Sequence, residues 1–228
     1  MNKIIKSLAA FILVIATLFL AGCKKEAEET EASWIDLGLP SGLLWADHNL
    51  GAGSAEDYGS YFAWGETKTK KKYSWSTYQY CNAGNENQLT KYCSISEYGF
   101  NGYTDNLVTL EPGDDAATAK WGNDARTPTD EEWDELIQNT TSENTTLNGV
   151  AGWRFTGANG NSIFLPSAGN YNDDILARVG ERGYYMSSSL NTSDPSMTWC
   201  LVTTNSQANI KKNPRENGCS VRPVKSTR

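Results

Sequence analysis

The single histidine of this chain, His48, sits in Trp45-Ala46-Asp47-His48-Asn49. Any Ser/His/Asp device would have to use it as the base. No nucleophile elbow surrounds it, and a structural or surface histidine fits the setting better. No phosphate-cradling loop and no HExxH metal motif is present. Carboxylates do crowd together at Asp130-Glu131-Glu132 and Asp134-Glu135, where acid/base work is conceivable. First-turn acids that favour a helix dipole explain most of them more simply. Asp173/Asp174 is a pair that any acidic protein contains. These residues point away from an enzyme, and no cofactor or metal is expected.

Recognition chemistry is better represented. From Ser187 to Asn217, 15 of 31 residues are Asn, Ser or Thr, interleaved with Met197, Trp199 and Ile210. Small polar groups with scattered large side chains suit an adaptable binding surface. The expected ligand face is Tyr171, Asn172, Asn191, Asp194, Trp199, Asn209, Lys211, Asn213, Arg215 and Asn217. The Lys68, Lys70, Lys71 and Lys72 group reads as a solvated loop.

The elements that must carry these residues are mostly short strands. Strands are expected at residues 34–40, 43–46, 58–65, 162–166, 183–187, 198–202 and 219–224. Phe62 and Trp64 fall on one face of an extended segment and should be core. Residues 66–108 read as a polar loop. Two helices are expected. One runs from Asp114 to Trp121 and stops at Gly122. The other opens on a capping box in which Thr129 caps and Glu132 reaches back. Trp133, Leu136 and Ile137 then share one helix face. Strands, two helices and further strands make an α+β domain.

Residues 1–22 read as an export signal. Lys3 and Lys6 precede an apolar run from Ser7 to Leu20. As a helix of about 13 residues it is only about 20 Å long, short of the roughly 30 Å hydrocarbon core. Leu20-Ala21-Gly22-Cys23 resembles the lipobox of bacterial lipoproteins, with Cys23 the lipidated residue and the membrane a partner through that lipid. Residues 23–33 lack large apolar side chains and form an acidic tether, which also resembles surface-export signals of Bacteroidota lipoproteins. Residues 34–225 are then one domain. The expected location is the outer membrane, on its periplasmic side or at the cell surface.

The first 22 residues hold two lysines and no acid, so the remainder has 18 basic and 27 acidic side chains, a formal charge of −9. That balance disfavours nucleic acid as a partner. Beyond Cys23, four cysteines remain: Cys81, Cys93, Cys200 and Cys219. Export permits disulfides. Four cysteines allow three pairings. The sequence-local pairing Cys81/Cys93 and Cys200/Cys219 is one reading, and free buried thiols are the other.

Several segments stand together in order: Asp36-Leu37-Gly38-Leu39-Pro40-Ser41-Gly42-Leu43-Leu44-Trp45-Ala46, Tyr61-Phe62-Ala63-Trp64-Gly65-Glu66-Thr67, Arg126-Thr127-Pro128-Thr129, Gly160-Asn161-Ser162-Ile163-Phe164-Leu165-Pro166, Gly183-Tyr184-Tyr185 and Ser220-Val221-Arg222-Pro223-Val224. This set resembles the Fibrobacter succinogenes major paralogous domain family over about residues 34–225. Met186 and Arg126-Thr127 depart from that pattern and read as packing swaps. The resemblance implies a C-type-lectin-like fold, with two helices, short twisted antiparallel strands, long loops and paired terminal strands. Formylglycine-generating enzymes share the fold, but Cys200 and Cys219 are too far apart in sequence for that activity to carry over. The calcium-binding triplets of true lectins are missing. The expected function is a displayed, non-catalytic adhesion module for a glycan or protein ligand. A structural envelope component is the alternative, and a retroelement-diversified receptor-binding protein a third reading. Arg126 and Arg222 are expected to be partly buried beside carboxylates.

Overall fold

Both ends of the domain meet in one sheet. The computed structural model describes residues 32–122 and 124–227. Strand β1 (Trp34–Asp36) pairs antiparallel with β2 (Leu44–Ala46), and β2 pairs on its other edge with β13 (Val224–Lys225), the last strand. The turn between β1 and β2 uses Gly38 and Gly42 at φ +67° and +68°, which a residue with a Cβ adopts only under strain.

Five strands form the central sheet, in the order β11 (Ala208–Pro214), β10 (Met197–Thr203), β9 (Gly183–Leu190), β12 (Cys219–Ser220) and β3 (Tyr61–Phe62). One contact in it, Ser220 with Tyr185, is parallel, so the expectation of purely antiparallel strands is corrected there. β12 comes back beside β9 in the same direction because β10 and β11 intervene as a hairpin. A meander of β4 (Thr140–Leu147), β5 (Val150–Gly157) and β6 (Ser162–Pro166) follows the helices. Only β6 was legible beforehand, because Thr and Asn dominate β4. A hairpin of β7 (Asn170–Asn172) and β8 (Ile175–Ala177) completes the strands.

Two α-helices are described, α1 (Ala116–Trp121) and α2 (Asp130–Asn139). Asp115 caps α1 by accepting from the Ala117 and Thr118 amides. The expected capping box at Thr129 and Glu132 is present, with both bonds made. Glu132 has a second task, because its carboxylate holds Arg126 at 2.7 Å. Residues 66–108 contain 3-10 turns and bridges and no longer element, as expected of a loop.

Strand alternation divides the core. Tyr185 and Leu201 point to one face of the central sheet, where Trp45, Trp133 and Leu136 pack. Trp45 and Trp133 are 4.8 Å apart between ring centroids. Met186, Cys200 and Cys219 point to the other face, against Phe62, Trp64, Ala116 and Ala117. Phe62 and Trp64 are buried, as the sequence suggested. The architecture is therefore mixed α+β, mostly strand, in small sheets.

Candidate functional site

The polar stretch from Ser187 to Asn217 folds into β9, β10, β11 and the turns around them. The β10–β11 register opposes Trp199 to Lys212, Cys200 to Lys211, Val202 to Asn209 and Thr198 to Asn213. Opposed residues share a sheet face, and neighbours along a strand do not. Trp199 therefore lies on the α2 side, whereas Asn209, Lys211 and Asn213 lie on the Cys200 side. The ten residues expected to form one ligand face do not form one.

Four of them are interior. Asn191, Asn213, Arg215 and Asn217 are all buried. Asn191 accepts from the Ser193 amide at 3.1 Å and its hydroxyl at 2.8 Å, closing a tight turn. Asn213 donates to the Pro214 carbonyl at 3.0 Å and to Cys219 Sγ at 3.3 Å. Arg215 has no exposed surface. It donates through Nε to Tyr78 Oη at 2.7 Å, and through its terminal nitrogens to the carbonyls of Tyr92, Pro195 and Lys91 at 2.9, 3.0 and 3.1 Å. Trp64 and Tyr78 cover its faces. Loop backbone without ladder partners still needs donors, and Arg215 supplies them. Asp194 is half-buried and binds Ser196. Tyr171 is half-buried against Tyr73 and Tyr61. Asn172 and Lys211 are exposed, and Asn209 is half-buried.

The cysteines also correct one of the two readings. None of the four is in a disulfide, and no described pair is at disulfide distance. Cys200 and Cys219 approach to 4.0 Å between sulfurs as buried thiols. Cys81 and Cys93 turn to nearby backbone instead, donating to the Asn85 carbonyl at 3.0 Å and the Ile95 carbonyl at 3.2 Å. The membrane anchor expected at Cys23 lies outside the described residues. Among the described residues, no helix is long and apolar enough to cross a membrane.

His48 is buried. Its Nδ1 is 2.6 Å from Asp47 Oδ1, its ring packs on Trp121, and its Nε2 is buried without a partner. A base in that position has no path to a substrate. Arg222 is wholly buried, and no carboxylate hydrogen-bonds to it among the described residues. It donates to Asn49 Oδ1, the Ala46 carbonyl and the Phe164 carbonyl at 3.0, 3.1 and 2.8 Å. Arg126 does pair with a carboxylate, Glu132.

One expected residue does line a cavity. Trp199 and Ile210, from β10 and β11, form one wall of a groove of about 300 Å³. Asp130, Glu131 and Asp134, from the first turns of α2, form the other. Asp130 and Asp134 are one helical turn apart, so they share a face. Burial holds Asp130 above the ordinary aspartate range, and a hydrogen bond from Asp130 holds Glu131 below the ordinary glutamate range. Lys212 crosses the Trp199 ring at 5.9 Å. The groove thus offers an aromatic surface, an aliphatic one and several acceptors. The carboxylates were read from sequence as dipole-complementing acids. The helix's placement over β10–β11 sets them opposite Trp199 and Ile210.

A second cavity of about 280 Å³ lies between α1 and the Arg126-Thr127 segment. Its central carboxylate is already occupied. Asp115 accepts from the Ala117 and Thr127 amides and the Thr127 hydroxyl, each at 2.8 Å. Those bonds hold the chain together and leave little for a ligand. Among the described residues, no group of three His, Cys, Asp or Glu side chains is placed to hold a metal ion.

Comparison with protein-family models, with curated proteins and with solved structures gives no match to this chain.

Proposed function

We propose that this chain is a lipid-anchored, non-catalytic binding module, displayed from the outer membrane, whose groove between α2 and β10–β11 takes a glycan. The observation that carries the reading is Trp199, half-exposed in a wall facing Asp130, Glu131 and Asp134. A sugar ring has an apolar face and a rim of hydroxyls. An indole covers the first, and carboxylates accept from the second. Ligand sites of this kind are concave and largely apolar, with a few polar groups that converge on the ligand. The buried, orphaned Nε2 of His48 supports a binding role over a catalytic one.

The lipobox-like Leu20-Ala21-Gly22-Cys23 supports the membrane anchor. The ordered segments from Asp36 to Val224 support membership of the major paralogous domain family. Terminal strands joined in one sheet and two α-helices among the described residues are compatible with a C-type-lectin-like domain.

The test is a glycan array probed with the full chain in detergent, followed by calorimetry on any hit. Trp199→Ala weakens binding at least about tenfold, since 1.4 kcal/mol is one decade in Kd. Asp134→Asn weakens it less. Lys211→Ala, on the opposite face of β10–β11, leaves it unchanged. A ligand that binds Trp199→Ala as well as the parent chain rules the groove out.

A further inference from the structure

Large apolar side chains are exposed at only five described positions: Tyr103, Val108, Ile175, Leu176 and Val179. Three of the five lie within five residues, on β8 and just beyond it. Ile175 is 64% exposed, Leu176 37% and Val179 40%. The rest of the hairpin explains why this is an edge. β7 is held on both edges, by β8 on one and on the other by Gly218, which bridges Tyr171, with Tyr73 bridging Asp173 just beyond the strand, while β8 pairs only with β7. The turn of the hairpin is Asp173-Asp174, so Asn172 and Ile175 close the hairpin as a hydrogen-bonded pair. Along an antiparallel pair such positions alternate. Leu176 is therefore at a non-bonded position, and its N–H and C=O point away from β7. No backbone partner meets them among the described residues. No lysine, proline or bulge blunts this edge, the usual devices against pairing.

We propose that the outer edge of β8 pairs antiparallel with β8 of a second copy of this chain, about a two-fold axis at Leu176. The charges favour this occupant. Antiparallel pairing centred on Leu176 sets Ile175 against the second copy's Ala177, and brings Asp174, in the hairpin turn, beside its Arg178, which follows the strand. By symmetry the second ion pair forms as well. Asp174 has no ion pair or hydrogen bond among the described residues, and Arg178 holds only an exposed contact with Glu181 at 3.2 Å. Both are free to exchange into the new pairs. Leu176 would exchange both backbone bonds with its counterpart, and Ile175 and Val179 would lose water on either side. A two-fold interface uses one self-complementary patch, and this sequence is self-complementary in sign about Leu176. The proposal does not depend on the glycan reading of the groove, which lies against other strands.

The test is disulfide trapping on the full chain in intact cells. Leu176→Cys brings two introduced thiols together at the axis, and Asn205→Cys, on an exposed turn, is the control. Copper-phenanthroline oxidation converts Leu176→Cys to a dimer of twice the chain mass at least about tenfold faster than Asn205→Cys, the order expected when pairing holds two sites together. In the Leu176→Cys background, Asp174→Arg slows trapping several-fold, because like charges then oppose across the pair. Adding Arg178→Asp restores it, because the complementarity returns with its signs exchanged. Equal rates for Leu176→Cys and Asn205→Cys overturn the proposal. So does a trapped product of any other mass. Failure of the double charge exchange to restore trapping overturns the register.

Discussion

Arg215 and Arg222 are both wholly buried, and neither hydrogen-bonds to a carboxylate, yet they hold different parts of the molecule. Arg222 lies beside the terminal sheet. Its acceptors are Ala46 in β2, Asn49 just after it and Phe164 in β6, so it joins elements that each have their own ladder. Arg215 lies under the long loop. Its acceptors are Lys91, Tyr92, Pro195 and the Tyr78 hydroxyl, most of them on residues 66–108. The first region would keep most of its backbone bonds without its arginine, but not its packing. The second is held by turn and bridge bonds rather than by a continuous ladder, and the arginine ties its carbonyls to β11 and the turn before β10. A buried guanidinium presents five donors in a fixed fork, which suits carbonyls that no strand can reach.

The comparison is broken if both substitutions produce the same unfolding. Arg222→Ala leaves three buried acceptors unpaired beside a cavity, which costs about 3–5 kcal/mol of global stability. Denaturant unfolding should show it as a lower midpoint, with intrinsic tryptophan fluorescence and far-ultraviolet dichroism changing together. Arg215→Ala should instead open the loop first. Limited proteolysis and hydrogen exchange within residues 78–105 increase, by an amount equivalent to about 2–4 kcal/mol of local opening. The global midpoint moves less. Loss of α2 and the terminal strands in step with the loop would show that the two regions are one cooperative unit.

The smallest effect concerns pH, and it belongs to the Arg215 side alone. Glu216 carries a buried Oε2 with no hydrogen-bond partner, and burial pushes its carboxyl up to about 7 from an ordinary 4.5. The folded state then binds this proton more tightly than the unfolded chain does. The stabilisation is fully present below about 4.5 and is lost as pH rises through about 7. Glu216→Gln should flatten that slope and raise the melting temperature at pH 8 relative to the parent chain. An unchanged slope between pH 5 and pH 8 would place the responsible proton elsewhere.

Where local chemistry governs, the structure could be anticipated. The Thr129–Glu132 capping box needs residues three apart and nothing else, and it is there. Phe62 and Trp64 announced themselves by alternation. β4 did not, because Thr-Thr-Ser-Glu-Asn-Thr-Thr has no apolar period and becomes a strand only by pairing with β5. Polar composition also misled the reading of the binding face. Asn191, Asn213 and Asn217 look like surface residues, but tertiary packing buries all three, and the side-chain amides of Asn191 and Asn213 serve a turn and a strand end.

Sequence alone determined the α+β class, the two helices and the Thr129–Glu132 capping box, because each depends on neighbours within a few residues. The tertiary structure alone decided that Arg215 is a core residue, that Trp199 faces Asp130 and Asp134, and that Lys211 lies behind them. Those facts depend on the one-residue register of β10 against β11 and on which carbonyls the long loop turns inward. Neither leaves a period or a spacing in the chain: the register belongs to the β10–β11 hairpin as a whole, and the facing residues lie 65 positions apart for Asp134 and Trp199 and 137 apart for Tyr78 and Arg215.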